Sequence, residues 1–195
     1  MTEKFRLAYE ATMRHEGGYA NDPNDHGGET WRGIARNSWS NWPGWKIVDD
    51  IKLRKPTSLN AALQKNASLD TLVLNFYKQN FWDPLNIDLI HSNQISLQLF
   101  DMSVNSGISR GAKILQEAIN RLIAPNQIAV DGDVGNETIT AANGLDHQAL
   151  YNQINVLRSA FYERIIKKDP TQERFRRSWF SRIHSFKAEN DMSVA

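Results

Sequence analysis

Four side chains able to take part in acid–base chemistry lie near the start of this 195-residue sequence. They are Glu16, Asp22, Asp25 and Thr30. Cleavage of a glycosidic bond commonly needs one carboxyl group that is protonated at working pH and a second that is ionised. The segment therefore offers Glu16 as a candidate proton donor, with Asp25 or Asp22 as its ionised partner.

The residues before Glu16 follow a helical pattern. Apolar or small side chains recur every three or four positions, at Phe5, Ala8, Tyr9, Thr12 and Met13. This spacing predicts a helix over residues 3–16, which Gly17 and Gly18 end. The negative end of a helix dipole disfavours a carboxylate, so we expect a raised pKa for Glu16 on the last turn. A raised pKa suits a general acid.

Residues 19–33 are rich in Asn, Asp, Gly and Pro, which predicts tight turns and one short hairpin. Backbone N–H groups and water in such a segment can stabilise an ionised Asp22 or Asp25. A structural interpretation is also open, because an acid beside glycine often ends a helix and Asp-Pro-Asn-Asp fits an ordinary surface turn. Residue types alone do not decide between the two.

The rest of the chain is predicted to be largely helical. Apolar periodicity indicates a short helix over residues 34–45, ended by Pro43-Gly44, and a longer helical pattern over residues 59–81. Further helices are predicted over residues 95–104, 110–123 and 146–168. We therefore expect a mostly α fold with a small loop-rich or β-hairpin lobe after the first helix.

Composition limits the available chemistry. The chain has no cysteine, 41% hydrophobic residues and a formal charge of +1, which indicates a folded core without disulfides or a thiol nucleophile. An EF-hand loop would need an oxygen ligand and a closing glutamate where Gly135 and Ala142 stand. A zinc motif at His15 would need a second histidine where Tyr19 stands. We expect no metal site and no cofactor.

Three runs near the N-terminus carry a family resemblance. They are His15-Glu16-Gly17-Gly18-Tyr19, Asn21-Asp22-Pro23-Asn24-Asp25 and Gly27-Gly28-Glu29-Thr30-Trp31-Arg32-Gly33-Ile34. Together they resemble the N-terminal signature of glycoside hydrolase family 108, the bacterial and phage N-acetylmuramidases. The resemblance implies a lysozyme-like fold. It also implies that Glu16 is the catalytic acid that cleaves the β-1,4 bond between N-acetylmuramic acid and N-acetylglucosamine in peptidoglycan.

A fainter similarity to the phage-type lysozymes concerns the order of Glu16, Asp25 and Thr30, which are nine and then five residues apart. It implies that Asp25 is the second carboxylate and that Thr30 helps to position the attacking water. Asp22 competes with Asp25 for that role and is otherwise expected to contact the substrate.

Tyr19 and Asn105 are further candidate substrate contacts. Tyr19 follows the predicted helix end and either borders the sugar site or packs against the protein. Asn105 stands beside a glycine break, where its amide can bind an acetamido group of the substrate or cap a helix. Trp39, Trp42 and Trp45 could stack on sugars, but their three-residue steps favour a core or a structured turn.

The C-terminal half carries a second resemblance. Residues 100–107 and 130–138 resemble the predicted peptidoglycan-binding domain that commonly follows this catalytic domain. We therefore expect a lysozyme-like catalytic region over residues 1–93 and a helical peptidoglycan-binding-like region over residues 94–195, packed as one globule and monomeric. The leading hypothesis is a peptidoglycan hydrolase. The alternatives are a non-catalytic cell-wall-binding or regulatory protein and a nucleic-acid binder.

Charge and hydropathy bear on partners and location. Residues 158–187 contain nine Lys or Arg against three acids, a net charge of +6. This segment fits a solvated helix face, a contact with the anionic cell envelope, or nucleic-acid binding. The acidic constellation argues against the last, so no specific nucleic-acid partner is expected. Charges interrupt the apolar residues of positions 1–12, which predicts synthesis in the cytoplasm and release to the wall by a holin or a secretion route, as in a phage endolysin or a secretion-associated muramidase.

Overall fold

Most of the described chain is helical. The structure is a computed structural model that describes residues 1–13, 17–21 and 27–187. Helix α1 spans Glu3–Met13, and a small antiparallel sheet of three strands follows it. The predicted fold class, mostly α with a small lobe after the first helix, is confirmed. The last turn of the predicted first helix, residues 14–16, lies outside the described residues.

The sheet is a meander of very short strands, in the order β1 (Tyr19–Ala20), β2 (Thr30–Trp31) and β3 (Ile34–Ala35). The turn between β2 and β3 consists of Arg32 and Gly33, whose φ angles are +45° and +80°. Two successive left-handed residues form the two-residue turn that matches the twist of a hairpin. The predicted hairpin is therefore present.

The prediction of a helix over residues 34–45 is wrong. The chain forms β3 at its start, because the left-handed turn folds it back and pairs Ile34 with Trp31. Both side chains are fully buried in this pairing. Burial of the pair outweighs the weak helical periodicity that follows it in the sequence.

Pro43-Gly44 begins a helix and does not end one. Helix α2 runs from Gly44 to Leu53, and the φ angle of Pro43, −63°, already suits a helix start. A Cβ atom on Gly44 would lie 2.1 Å from the ring of Trp42. Glycine is therefore needed here because an aromatic ring occupies the space of a side chain.

The helical pattern over residues 59–81 is divided in the structure. Helix α3 spans Leu59–Gln64, and α4 spans Ala67–Tyr77 before a π-helical turn, Lys78–Trp82. The division occurs at Asn66, whose side chain accepts a hydrogen bond from the Leu69 N–H at 2.9 Å and so starts α4 as its N-cap. An asparagine that caps a helix within one apolar pattern therefore divides that pattern into two helices.

The second half contains the longer helices. They are α5 (Asn93–Ser106), α6 (Ile108–Ile123), α7 (Asn136–Gly144), α8 (His147–Lys168) and α9 (Arg176–Phe180). Gly107, with φ at +90°, separates α5 from α6 as predicted. Asp146 caps α8 by accepting a hydrogen bond from the Ala149 N–H at 2.8 Å.

The contacts divide the chain into two units, Met1–Trp82 and Asp83–Ala195. The predicted boundary between residues 93 and 94 stays a prediction, as does packing of the two regions as one globule. The fully buried residues of the first unit include Phe5, Trp31, Ile34, Val48, Leu63, Leu69, Val73 and Trp82. Those of the second include Ile95, Phe100, Ala112, Ala118, Ile119, Val134 and Leu150. Among the described helices, each is too short or too polar to cross a lipid bilayer.

Candidate active site

A pocket of about 460 Å³ lies at the C-terminal end of α1. Its walls are formed by Tyr9, Glu10, Met13, Gly17, Gly18, Arg32 and Gln64. Met13 and Gly17 are the described residues on either side of the segment that contains Glu16. Glu16, Asp22 and Asp25 lie outside the described residues, so their roles stay predictions. The pocket is the candidate active site because it borders the predicted proton donor on both sides in the chain.

Arg32 contributes positive charge to this pocket and is firmly held. One guanidinium nitrogen, Nη1, lies 2.9 Å from Oδ1 of Asp70. The hydroxyl of Tyr77 donates a hydrogen bond to the Arg32 carbonyl at 2.7 Å. Burial raises the pKa of Tyr9 on the same wall, and the nearby Arg32 charge opposes that rise. These contacts hold a non-glycine residue in the left-handed conformation that the hairpin requires.

The strand after the pocket is fixed by contacts on both sides. The N–H of Tyr19 donates to Oδ1 of Asn60 at 3.2 Å, and the carbonyl of Gly18 accepts from the Arg32 N–H at 3.3 Å. A Cβ atom on Gly18 would lie 2.4 Å from that same Asn60 oxygen, whereas one on Gly17 would meet no atom of the described residues within 4 Å. The second glycine of the Glu-Gly-Gly-Tyr motif therefore allows close approach of Asn60 to the backbone.

Tyr19 connects β1 to a charged cluster around Glu29. Its hydroxyl donates to Oε1 of Glu29 at 2.7 Å, and Nζ of Lys52 contacts the same oxygen at 2.6 Å. The Lys52 ammonium also lies 5.8 Å from the centre of the Tyr19 ring. Gly18, the neighbour of Tyr19, lines the pocket. The structure gives Tyr19 a positioning contact, and its predicted contact with substrate stays a prediction.

Arg36 connects Glu29 to helix α2. Its Nε lies 2.6 Å from Oε2 of Glu29, and its two terminal nitrogens donate to Asp49 at 3.1 and 2.6 Å. The guanidinium lies 4.4 Å from the ring centre of Trp45, in cation–π contact. The cluster of Tyr19, Glu29, Arg36, Asp49 and Lys52, here the Glu29 cluster, thereby joins β1 and the residues next to β2 and β3 to helix α2.

The electrostatics of this cluster make Glu29 an ionised group. Burial alone would raise the pKa of Glu29, but the hydrogen bonds from Lys52 and Tyr19 and the charge of Arg36 hold it below its ordinary value. Glu29 raises the pKa of Lys52 in return, and Arg36 lowers the pKa of Asp49. A carboxylate with a lowered pKa cannot serve as the proton donor near neutral pH.

Thr30 lies on the central strand of the sheet, opposite Ala20 on one side and Ala35 on the other. Its hydroxyl donates to the carbonyl of Gly28 at 3.2 Å. The oxygen keeps its capacity to accept a hydrogen bond from a water molecule. The predicted role of Thr30 in positioning the attacking water stays a prediction.

Asn105 lies on the last turn of α5, in the second unit, and is exposed. Its Nδ2 donates to the carbonyl of Asp101 at 2.7 Å and contacts the Asp101 carboxylate at 3.3 Å. Because the nitrogen is engaged within the helix, the oxygen Oδ1 is the group that can accept a hydrogen bond from an acetamido N–H. Its substrate-binding role stays a prediction.

Sequence reasoning missed two charged clusters, one in each unit. Glu29 was noted only within the family motif, and its partner Lys52 lies 23 residues further on. In the second unit, the carboxylate of Asp101 pairs with Arg158 and, at 2.8 Å, with Arg182, all three side chains being at least nine-tenths buried. A buried acid within the Phe-Asp-Met-Ser motif is a signal that could have suggested a cationic partner, although not which one.

The described residues contain no group of three or more His, Asp or Glu side chains arranged to hold a metal ion. The charged groups just described pair with one another instead.

Comparison with protein families identifies the first half of the chain. The sequence profile of glycosyl hydrolase 108 matches residues 9–107, which include the C-terminal part of α1, the sheet and all of α5. The chain belongs to the glycosyl hydrolase 108 family. A second profile, the predicted peptidoglycan domain, matches residues 110–184. The family resemblance predicted from the sequence is thus confirmed. Membership of the glycosyl hydrolase 108 family implies hydrolysis of peptidoglycan at the family level.

Comparison with solved structures supports the fold of this glycosyl hydrolase 108 member. The chain is similar to the structure of Brucella abortus SagA, with a TM-score of 0.63 and 23% sequence identity. The similarity covers 92% of this chain and 88% of that one. At this identity the likeness concerns the fold alone. No curated protein matches the chain significantly.

Proposed function

We propose that this protein is an N-acetylmuramidase that cleaves the β-1,4 bond between N-acetylmuramic acid and N-acetylglucosamine in peptidoglycan. Membership of the glycosyl hydrolase 108 family supports the reaction class. We assign the active site to the end of α1 because a pocket lies there, bordered by Met13 and Gly17. Glu16, between them in sequence, is the proposed proton donor.

The proposed chemistry divides two roles between carboxylates. Glu16 protonates the glycosidic oxygen as the bond breaks, and Asp25 or Asp22 stabilises the cation-like sugar or activates water. Thr30 positions that water. Glu29 is unsuited to the acid role because its pKa is lowered and both of its oxygens already contact cations. The Glu29 cluster instead supports the strand that carries Thr30.

The experiment is a digest of purified peptidoglycan with the pure protein, followed by identification of the new chain ends. The proposal predicts reducing N-acetylmuramic acid ends. Anhydro ends would indicate a lytic transglycosylase, and soluble peptides without sugar cleavage would contradict any glycosidase. Peptidoglycan pull-down without release of any fragment would favour the second candidate, a non-catalytic wall-binding protein, which the match to the predicted peptidoglycan domain also allows.

We further propose that the enzyme is made in the cytoplasm and reaches the bacterial wall through a holin or a secretion route. Of the two corresponding roles, phage endolysin and secretion-associated muramidase, we favour the phage endolysin. Expression in a bacterial host with and without a co-expressed holin tests this. Lysis only with the holin is the expected result, and equally rapid lysis without it would contradict the holin route.

A further inference from the structure

A second pocket of the first unit, of about 500 Å³, lies away from the residues that line the candidate active site. It is formed by the loop before α2 and by one side of α4 and the π-helical turn, and the two pockets share no residue. None of the eleven described residues that line it is charged, although 23% of the chain is Asp, Glu, Lys or Arg. Such a lining suits a neutral ligand, because an anionic or cationic one would lack a counter-charge.

Trp39 forms the aromatic side of this pocket. It is 39% exposed, whereas Trp42 and Trp45 of the same run are buried as predicted for a core. Its ring meets Phe76 edge-on, with centroids 4.8 Å apart and planes at 89°. An exposed indole supported by a buried ring offers a flat apolar surface to a ligand.

The backbone holds Trp39 in place. Its N–H donates to the Ala35 carbonyl at 2.9 Å. Its own carbonyl accepts from Nε1 of Trp45 at 2.8 Å and from the Trp42 N–H at 3.0 Å. These bonds fix the backbone of Trp39 before any ligand arrives, and the edge-on contact with Phe76 supports its ring, so binding would cost less ordering entropy.

Carboxamides supply the polar groups of the pocket. The side chains of Asn41, Asn75 and Gln79 are exposed and make no hydrogen bond to the described part of the chain. Each carboxamide presents both a donor and an acceptor. An N-acetylated pyranose offers the matching chemistry, with hydroxyls and an acetamido group for the amides and an apolar C–H face for the indole.

We propose that this pocket is a glycan subsite that binds an N-acetylglucosamine unit of the peptidoglycan strand, outside the bond that is cleaved. This inference rests on the proposed function and adds a substrate contact to it. One aromatic cluster connects the two pockets. The ring of Tyr9, which lines the candidate active site, has its centroid 5.8 Å from that of Tyr77. The centroid of the Tyr77 ring lies 5.3 Å from that of Phe76, which lines the second pocket.

The test is binding of chitotetraose, a neutral N-acetylglucosamine oligomer, measured by isothermal titration calorimetry. We expect saturable binding to the wild type, and a dissociation constant raised about tenfold or more by Trp39→Ala. Asn75→Ala, which removes an exposed side chain that supports no other residue, should raise it about fivefold through loss of one hydrogen bond. Leu7→Ala is the matched control, because Leu7 is 41% exposed in the same unit and lines neither pocket.

The outcomes separate this inference from the proposed function. Absence of binding to the wild type, or Trp39 and Asn75 variants that bind like the wild type, would overturn the subsite even if peptidoglycan is hydrolysed. Weakened binding in both variants, with Leu7→Ala still binding like the wild type, would establish it. Failure of the wild type to hydrolyse peptidoglycan would remove the proposed function while the binding result stands by itself.

Discussion

At the scale of single residues, Glu29 shows how surroundings assign roles to acids. It lies one residue before Thr30, yet its contacts with Lys52 and Arg36 keep it ionised. A general acid needs the opposite environment, one that favours the protonated form. The expected roles of Glu16 and Glu29 therefore differ although both belong to the same N-terminal motif.

Replacement of Glu29 by Gln should change how stability depends on pH. Because the folded-state pKa of Glu29 is lowered, its charge stabilises the fold above the unfolded-state pKa, about 4.3, and this contribution is lost as pH falls through the folded-state value. The melting temperature of Glu29→Gln should therefore lie below that of the wild type near neutral pH, and the difference should shrink in acid.

Thermal melts from about pH 7 to about pH 3 measure this difference. Glu3→Gln serves as the control, since the Glu3 side chain is 74% exposed, and its melting curve should follow the wild type throughout. A wild-type minus Glu29→Gln difference that stays constant over the whole range would contradict the ionised role of Glu29.

The two glycines of the motif should respond differently to alanine. A Cβ on Gly18 displaces the Asn60 side chain and breaks its hydrogen bond to the Tyr19 N–H, whereas one on Gly17 meets none of the residues that the structure describes. Both substitutions restrict the unfolded chain equally, so that effect cancels between them. Gly18→Ala should be less stable than Gly17→Ala by about 1 kcal/mol in urea denaturation. Equal midpoints would show that the Asn60 contact is unimportant.

At the scale of elements, apolar periodicity predicted the helices well where no turn or cap interrupts the pattern. The amphipathic pattern of α6 and α8 was sufficient to place both within two residues. It failed at Ile34, because pairing with Trp31 depends on the left-handed turn at Arg32 and Gly33, which a helical pattern does not reveal. It also joined α3 to α4, because the capping role of Asn66 lies in one side-chain hydrogen bond.

The residues of the candidate site could be predicted where they belong to one contiguous sequence motif. Glu16, Tyr19 and Thr30 belong to one run of sequence, and the sheet brings the last two onto neighbouring strands. Partners from distant segments were not predictable from spacing. Asp101 and Arg182 are 81 positions apart, and only the packing of the second unit brings them together.

The buried ion cluster of the second unit predicts a large stability effect. Asp101 joins α5 to Arg158 of α8 and to Arg182 after α9. In Asp101→Asn the two buried guanidinium groups lose their counter-charge, which should cost about 3–5 kcal/mol in the free energy of unfolding. Urea denaturation measures it. The matched control is Glu163→Gln, which breaks the exposed pair with Arg176 and should change the midpoint only slightly. Similar losses in the two variants would contradict a special role for Asp101.

At the scale of the whole molecule, part of the basic excess of residues 158–187 is internal. Arg158 and Arg182 pair with Asp101, and Arg176 pairs with Glu163 and Glu173. The surface of this segment is therefore less basic than the sequence suggests. This lower surface charge weakens the argument for nucleic acid as a partner. Contact of the segment with the anionic cell envelope stays a prediction. The two family segments, a hydrolase domain followed by a predicted peptidoglycan domain, agree on the bacterial wall as the target.

The most direct test of the central claim compares wild type and Glu16→Gln in the release of reducing sugar ends from purified peptidoglycan. We predict steady release by the wild type and a rate lower by about 10²–10⁴-fold in Glu16→Gln, because the variant keeps the shape of the acid but has no acidic proton to donate. Glu3→Gln should retain the wild-type rate. Release by Glu16→Gln at the wild-type rate would contradict the assignment of Glu16 as proton donor.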